Sequence, residues 1–344
     1  MITLPPEFVR TTVAREGDTG AAWLAGLPGI VTELLERWEC VPEGEVLHGG
    51  VGLVVPVRRA AGGAPGVIKV SFPHPGNIHE PDAFAVWDGQ GAALLHERDD
   101  ARYAMLLERA GRSSLAEVAA ADEVAEAAGL LSRRLAVPAP PHLPRLWERA
   151  ADWEAELLRN AAEVPHTLPG RALDAALATV REAGRYRPAT MVHGDLHPRN
   201  ILRADREPWL AVDPKGLTGD PAYDGGTLLK TRTPVLLSSA DPLKDAHRTL
   251  AVFAEAAGLD RDRVTRWAQL LLVQAVFWGR RYGFRRARGG AELDRLTGFA
   301  EWLAERLVPR TGRRRRATAS GYSSRSEETP FRGPSPPGGG GELR

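Results

Sequence analysis

A short polar segment in the second half of the chain carries side chains that could transfer a phosphoryl group. It reads His193-Gly194-Asp195-Leu196-His197-Pro198-Arg199-Asn200, and a second acidic turn, Asp213-Pro214-Lys215-Gly216, follows it. The Asp195 carboxylate can accept a hydrogen bond from an attacking hydroxyl, while the Asn200 amide oxygen and the Asp213 carboxylate are hard oxygen ligands of the kind that Mg²⁺ prefers. These residue types in this order indicate phosphoryl transfer from a nucleotide, in which the protein mainly supplies positioning and charge neutralisation.

Short apolar segments must position these three groups. Residues 191–192 lead into the loop, residues 201–202 leave it, and residues 209–212 form a strand that ends at Asp213. This order predicts a β-hairpin with the polar groups at its mouth. Either turn alone is explained as well by the turn preferences of Asp, Asn, Pro and Gly, but the two together, with strand-like flanks, favour the catalytic interpretation.

The region upstream has the pattern of a nucleotide-binding lobe. Residues 19–38 carry apolar side chains at helical spacing, and the Pro28-Gly29 pair inside this segment predicts one kinked helix or two short ones. Strand-like segments follow at residues 45–47, 53–57 and 66–70. The turn between the first two contains Gly49, Gly50 and Gly52. Glycines there let backbone N–H groups approach phosphates because no Cβ intervenes, although glycine in a hairpin is usually a plain turn.

Lys69 lies within the last of these strands, where a lysine either points to solvent or serves a buried anion. In a kinase arrangement it would contact the α- and β-phosphates and pair with a helix glutamate. Glu80 is the candidate partner, since it opens a predicted helix that runs through Trp87, with Asn77 or His79 as a possible cap. Strand alternation does not decide the orientation of Lys69, and Glu80 could be only a first-turn acid favoured by the helix dipole.

The rest of the chain has a mainly helical pattern. Residues 103–109 predict the last strand and the crossing to a second lobe. Helices are predicted near residues 115–135, 146–158, 173–183, 243–257, 264–282 and 293–307. We therefore expect an α+β protein with a nucleotide-binding lobe at residues 1–108, a helical catalytic and substrate lobe at residues 109–308, and a disordered tail rich in Arg, Ser, Pro and Gly at residues 309–344.

Charge and composition limit the partners. The tail carries eight Arg and three Glu, whereas residues 1–308 carry 37 basic and 41 acidic residues, a net charge of −4. A mildly acidic body is compatible with a cationic small-molecule substrate and gives no support for nucleic-acid binding. The single cysteine, Cys40, is expected in the core, and no stretch reaches transmembrane length. We expect a cytoplasmic monomer with neither a nucleic-acid nor a membrane partner.

These motifs resemble the aminoglycoside phosphotransferase superfamily, in its streptomycin 6-phosphotransferase and hydroxyurea phosphotransferase branch. The resemblance extends from about residue 20 to about residue 308. It is carried by residues 53–57, 68–69, 105–109, 192–202, 209–216 and 219–224. It implies a bilobal protein-kinase-like fold with a small antiparallel-sheet N-lobe and a mostly helical C-lobe.

The resemblance also implies ATP- and Mg²⁺-dependent phosphorylation of an antibiotic hydroxyl, with the 6-hydroxyl of streptomycin favoured, in resistance or self-protection. By motif matching, Asp195 is the catalytic base, Asn200 and Asp213 hold Mg²⁺, and Lys69 binds phosphate. Asp224 falls on a position that supports the catalytic loop in the family.

Two other functions stay open. The acceptor could be hydroxyurea, another aminoglycoside or a small alcohol such as choline or a sugar, or the protein could be a catalytically silent kinase-like binding module. The joint presence of the phosphate lysine, the base and both metal ligands argues against a silent module. Glu292, Asp294 and Glu301 are available to hold a guanidinium-bearing substrate. Trp267, Phe277 and Trp278 fall on one predicted helix among apolar residues, so core packing is the expected role of most of them, while one could line a sugar pocket.

Overall fold

An antiparallel sheet dominates the first third of the chain and helices dominate the rest, in a computed structural model that describes residues 2–60, 63–164, 168–284, 287 and 289–308. The predicted tail at residues 309–344 lies outside the described residues. The strands are β1 (Cys40–Pro42), β2 (Leu47–His48), β3 (Gly52–Arg59), β4 (Pro65–Ser71), β5 (Leu95–Asp99), β6 (Ala104–Glu108), β7 (Met191–Val192), β8 (Ile201–Arg203), β9 (Trp209–Ala211) and β10 (Leu217–Thr218). The helices are α1 (Pro6–Arg37), α2 (Glu80–Trp87), α3 (Ala121–Leu135), α4 (Ala150–Glu163), α5 (Gly170–Arg185), α6 (Ala222–Leu236), α7 (Pro242–Ala257), α8 (Arg261–Tyr282) and α9 (Gly290–Arg306).

The main sheet separates two apolar cores. Its strand order is β1-β3-β4-β6-β5, with β2 also paired to β3. Because side chains alternate along a strand, Ile68 and Val70 of β4 point to one face and pack with α1, whereas Lys69 points to the other. Met105 pairs with Lys69 in the ladder and belongs to the second core, which α2 and the helical region share. The alternation of β4 therefore turns Lys69 away from α1 and toward the helical region.

Two small ladders lie among the helices that follow. β8 pairs with β9 as a hairpin, and β7 pairs with the later strand β10. The segment predicted as one hairpin is thus a hairpin enclosed by a second antiparallel pair. This arrangement brings the loop after β7 and the turn after β9 to the same place.

Several predicted elements differ from the observed ones. The first helix begins at Pro6, and its break lies at Gly17, whose φ of 60° is not helical, while Pro28 stays inside the helix. The strands β1 and β5 and the helix α6 were not predicted. The predicted helix at residue 115 is a short 3₁₀ turn, Leu115–Glu117, after which α3 begins at Ala121.

The predicted core residue Cys40 is buried, whereas Trp278 is 59% exposed. In the described part of the chain, no helix is long and apolar enough to cross a membrane. The division into lobes at residue 108 stays a prediction from the sequence.

The packing of α3 on α7 yields a stability prediction. A Cβ at Gly129 of α3 would lie 2.6 Å from the Phe253 carbonyl oxygen and 2.8 Å from the Ala256 Cβ. Gly129→Ala should lower the free energy of unfolding by about 1–3 kcal/mol through overpacking, measured by urea denaturation.

Gly298→Ala is the matched control, because Gly298 also lies in a helix but its Cβ would meet nothing within 4 Å. It should leave stability unchanged or raise it by up to about 1 kcal/mol through helix propensity. Equal effects of the two substitutions would contradict the close approach of α3 to α7.

Candidate functional site

The loop between β7 and β8 presents Asp195 with its backbone held and its carboxylate accessible. The Asp195 carbonyl accepts hydrogen bonds from the His197 backbone N–H at 2.8 Å and from the Asn200 Nδ2 at 3.1 Å. The carboxylate itself is 31% exposed, and its Oδ2 lies 3.9 Å from the His197 Nε2. The loop thus leaves the Asp195 carboxylate free to meet a ligand.

Asp224, in the first turn of α6, holds the start of this loop. Its two carboxylate oxygens accept hydrogen bonds from the backbone N–H groups of His193, at 3.1 Å, and Gly194, at 2.9 Å. Burial raises the pKa of Asp224 to about 7, although both N–H groups oppose that shift. The structure therefore gives Asp224 the supporting position that the family resemblance implied.

His193 links the loop to the turn after β9 and to α2. Its Nδ1 accepts a hydrogen bond from the Asp195 N–H at 3.2 Å, and its Nε2 lies 3.0 Å from the Val212 carbonyl oxygen. One nitrogen must accept and the other donate, so these contacts select the neutral ring with the proton on Nε2. The ring also stacks on Trp87 of α2, at 6.0 Å between centroids. Burial lowers the pKa of His193 to about 4, which keeps the ring neutral near pH 7.

A three-residue ion cluster joins β4, α2 and the turn after β9. The Lys69 Nζ lies 2.5 Å from the Glu80 Oε1 and also bonds the Asp213 Oδ1. Lys69 and Glu80 are buried, whereas the Asp213 side chain is 42% exposed. The structure therefore points Lys69 at anions inside the protein and pairs it with the predicted glutamate.

The charges in this cluster shift one another's pKa values. Burial opposes the charge of Lys69, but Asp213 and Glu80 outweigh it and raise the pKa of the ammonium. Desolvation likewise opposes the charge of Asp213, but Lys69 outweighs it and lowers the pKa of Asp213 to about 2. Burial dominates at Glu80 and raises its pKa to about 7 despite the nearby ammonium. Lys69 and Asp213 are thus firmly charged at neutral pH.

The turn after β9 is shaped by unusual backbone angles. Asp213 has a φ of 61°, a left-handed conformation that Asp adopts more readily than most residues. Gly216 has a φ of 59°, and a Cβ there would lie 2.3 Å from the His79 carbonyl oxygen. Only glycine fits this approach to the start of α2. The turn therefore sets the position of α2, which carries Glu80, as well as that of Asp213.

The glycine turn lies close to the ion cluster. A Cβ at Gly49 would lie 4.0 Å from the Asp213 Oδ2, and a Cβ at Gly52 would lie 2.9 Å from the Ser71 Oγ and 3.4 Å from the Lys69 Cε. Gly50 differs, since no heavy atom lies within 4 Å of its Cβ position. Its carbonyl accepts a hydrogen bond from Arg15 of α1 at 2.6 Å, a contact for which the sequence offered no signal.

Asn200 and Asp213 are brought together by the base of the β8–β9 hairpin. The Val212 N–H donates to the Asn200 carbonyl at 2.9 Å, which aligns the residues that carry the two predicted ligands. The Asn200 Nδ2 faces the Asp195 carbonyl, so its amide oxygen is the atom left to accept or to ligate. Within the described residues, no three His, Cys, Asp or Glu side chains form a metal site by themselves. A divalent ion here would need further oxygens, such as those of phosphates.

The acids suggested for substrate binding are already paired. Arg280 bonds Glu301 at 2.8 Å and Asp294 at 3.2 Å, and Arg295 pairs with Glu292 at 3.1 Å. Each of the three acids already pairs with an arginine of this chain, so none of them is left unpaired to bind the guanidinium group of a substrate.

Comparisons with known proteins agree with this geometry. A family model described as aminoglycoside/hydroxyurea antibiotic resistance kinase matches residues 37–283. A streptomycin 6-kinase of Streptomyces glaucescens is 35% identical over 276 residues, which cover 79% of this chain and 90% of that protein. A hydroxyurea phosphotransferase of Kitasatospora aureofaciens is 36% identical over 282 residues, which cover 81% and 80%.

A solved structure shares the fold at much lower identity. The amicoumacin kinase hAmiN in complex with AMP-PNP, Ca²⁺ and Ami superposes with a TM-score of 0.53 at 14% identity, covering 81% of this chain and 95% of that one. The predicted α+β, protein-kinase-like fold is confirmed.

The neutral state of His193 predicts a pH dependence of stability. Its pKa is about 4 in the folded protein against an ordinary 6.5, so its contribution is complete above pH 6.5 and is lost as the pH falls toward 4. Urea unfolding at pH 7, 6 and 5 should show a shallower loss of stability in His193→Gln than in the wild type, by up to about 1.4 kcal/mol per pH unit.

His74→Gln provides the control, since His74 is exposed. It should keep the wild-type slope. A His193→Gln slope equal to that of the wild type would show that His193 does not titrate between these limits.

Proposed function

This chain belongs to the aminoglycoside/hydroxyurea antibiotic resistance kinase family, and on that premise we propose that it phosphorylates the 6-hydroxyl of streptomycin with ATP. The observation that carries this proposal is that Asn200 joins the loop of the accessible Asp195 carboxylate to the turn that carries Asp213 of the Lys69 ion cluster. As a member of the family the chain is a phosphotransferase that acts on a hydroxyl group.

Asp195 has the properties of the group that orients the acceptor. Its backbone is fixed by His197 and Asn200, while its carboxylate is accessible. A carboxylate so held accepts the hydroxyl hydrogen bond, aims the oxygen at the γ-phosphorus, and takes the proton as the new bond forms. The phosphoryl group leaves ADP at the same time, so Asp195 acts only on the acceptor side.

Lys69 has the properties of a phosphate-binding lysine. It is buried and charged, and Glu80 holds it at 2.5 Å from the side of α2. Its second partner, Asp213, is partly exposed and can be replaced by phosphate oxygens, since a buried ammonium needs an anion but not a particular one. Gly49, Gly50 and Gly52 form the turn above these groups.

The residues also fit a divalent metal, for which we propose Mg²⁺. The Asn200 amide oxygen and the Asp213 carboxylate are hard donors on segments that a backbone hydrogen bond joins. When bound, the ion would neutralise charge on the phosphates. Asp213, with a pKa of about 2, is ionised and ready to ligate at any neutral pH.

Two considerations bear on the acceptor. Streptomycin is a cation, and residues 1–308 of this chain carry a net charge of −4, which favours a cationic acceptor. A second candidate is hydroxyurea, because the hydroxyurea phosphotransferase is as similar to this chain, at 36% identity, as the streptomycin 6-kinase at 35%. The monomeric state, the cytoplasmic location and the lack of a nucleic-acid partner stay predictions from the sequence.

A turnover assay tests the acceptor and the base. With Mg-ATP, ADP release should depend on added streptomycin, and Asp195→Asn should lower kcat by roughly 10²- to 10⁴-fold with ATP affinity within about threefold of the wild type. Asp205→Asn is the control, since Asp205 is exposed in the turn of the same β8–β9 hairpin. Turnover with hydroxyurea and none with streptomycin would select the second candidate, and nucleotide binding without turnover on any acceptor would indicate a silent module.

A binding assay tests the phosphate lysine. Lys69→Met should raise the Kd for ATP by roughly tenfold or more, because charge-assisted hydrogen bonds contribute about 1.5–3 kcal/mol each. Glu80→Gln should have a smaller effect, since Lys69 keeps its charge but loses its anchor. The exposed Lys244 gives the control Lys244→Met. An unchanged Kd in Lys69→Met would remove Lys69 from the nucleotide site.

A further inference from the structure

The first helix bends back on itself at Gly17. The backbone angles there, a φ of 60° and a ψ of −139°, are not helical. The rings of Phe8 and Trp23, on either side of this break, lie 6.0 Å apart between centroids. In an unbroken helix, positions so far apart in the chain would be separated by about 22 Å along the axis. Residues 6–16, the N-terminal strap, therefore fold back against the rest of α1.

The N-terminal strap contacts the glycine turn, residues 49–52, at two points. The Phe8 ring lies 5.4 Å from the ring of His48, the last residue of β2 before the turn. The Arg15 Nη1 donates a hydrogen bond of 2.6 Å to the Gly50 carbonyl, inside the turn. The bend at Gly17 thus brings a side chain from the start of the chain onto a backbone group of the glycine turn.

Three successive carbonyls of the glycine turn are hydrogen-bonded within the protein. The Gly50 carbonyl accepts from the strap, and the Val51 carbonyl accepts from the Phe72 N–H at 2.8 Å. The Gly52 carbonyl accepts from the Gly49 N–H at 2.9 Å. Within the described residues, the N–H groups of Gly50 and Val51 meet no acceptor. The turn therefore keeps two backbone donors unpaired, and such donors are the groups with which a turn binds phosphate.

The same turn lies beside the residues proposed to meet the phosphates. A Cβ at Gly52 would lie 3.4 Å from the Lys69 Cε, and a Cβ at Gly49 would lie 4.0 Å from the Asp213 Oδ2. Because glycine has more backbone freedom than other residues, a turn with three glycines must be ordered before its donors can act together. A hydrogen bond that already holds Gly50 lowers the entropy lost when a ligand binds.

We propose that Arg15 is a positioning residue for the nucleotide, and that the N-terminal strap holds the glycine turn in the conformation that binds the phosphates of ATP. Arg15 acts through the Gly50 carbonyl, while the contacts to phosphate come from the backbone N–H groups of the turn. The inference rests on the proposed phosphotransfer, which brings ATP to this turn. It adds a segment that precedes every motif of the site in the chain.

Nucleotide binding tests the strap. Arg15→Met should raise the Kd for Mg-ATP by roughly three- to tenfold, the effect of one hydrogen bond. The Kd for adenosine should stay within about twofold of the wild type, because adenosine has no phosphates for the turn to bind. Arg15→Lys should recover part of the affinity for Mg-ATP, since its ammonium can still donate to the Gly50 carbonyl.

Two control variants come from the strap itself. Arg10 is exposed on the same segment, and Glu16 pairs with the Arg15 Nε without touching the turn. Arg10→Met and Glu16→Gln should therefore bind Mg-ATP like the wild type. The melting temperature of each variant shows whether the fold is retained.

Amide hydrogen exchange of the nucleotide-free protein tests the contact without ATP. The N–H groups of Gly49 and Phe72 are held by carbonyls of the turn. They should exchange roughly threefold faster or more in Arg15→Met, because the turn opens more often, and at the wild-type rate in Arg10→Met. Mass spectrometry of peptides that cover residues 45–52 and 69–74 measures both rates.

Three results would overturn the inference. An unchanged Kd for Mg-ATP in Arg15→Met would show that the strap does not position the turn for phosphates, and an equal rise in the Kd for adenosine would show a general effect on the fold. A raised Kd for Mg-ATP with unchanged exchange would mean that Arg15 acts as a charge on the nucleotide. A wild-type protein that binds no Mg-ATP would instead contradict the proposed function, and the exchange rates would still decide whether Arg15 holds the turn.

Discussion

The buried charge of Lys69 is the constraint on which the rest of the site depends. An ammonium taken out of water is costly unless anions meet it, and here Glu80 and Asp213 do so from two other segments of the chain. The pairing requires β4, α2 and the turn after β9 to meet at one point. The site can therefore form only when the sheet and the helical region are packed together.

Backbone-directed hydrogen bonds position the groups that do the chemistry. Asp224 binds two consecutive N–H groups of the catalytic loop, and His193 ties the same loop to the turn after β9. Gly216 lets that turn approach the start of α2. The supporting residues are buried and hydrogen-bonded, whereas the Asp195 and Asp213 side chains are partly exposed, and such a division suits a site in which the reacting groups must meet a ligand.

Local patterns predicted most elements but not those that depend on packing. The strand β4 and the helices α2, α7, α8 and α9 follow the apolar spacing that predicted them. The helix α6 was missed because it is buried on nearly all sides and contains Gly225 and Gly226, so it lacks an amphipathic period. The short edge strands β1 and β5 were missed because each is defined by pairing with a neighbour rather than by its own sequence.

The sequence by itself determined the reaction class, the family and the candidate residues, because the order and spacing of Asp195, Asn200 and Asp213 are local properties of the chain. Only the tertiary structure decided that Lys69 faces inward, that Glu80 is its partner, and that Asp224 holds the loop. It also showed that Asp294 and Glu301 are already paired with Arg280. The physical reason is that each of these contacts joins segments far apart in the chain, so strand orientation and helix packing decide them rather than residue type or spacing.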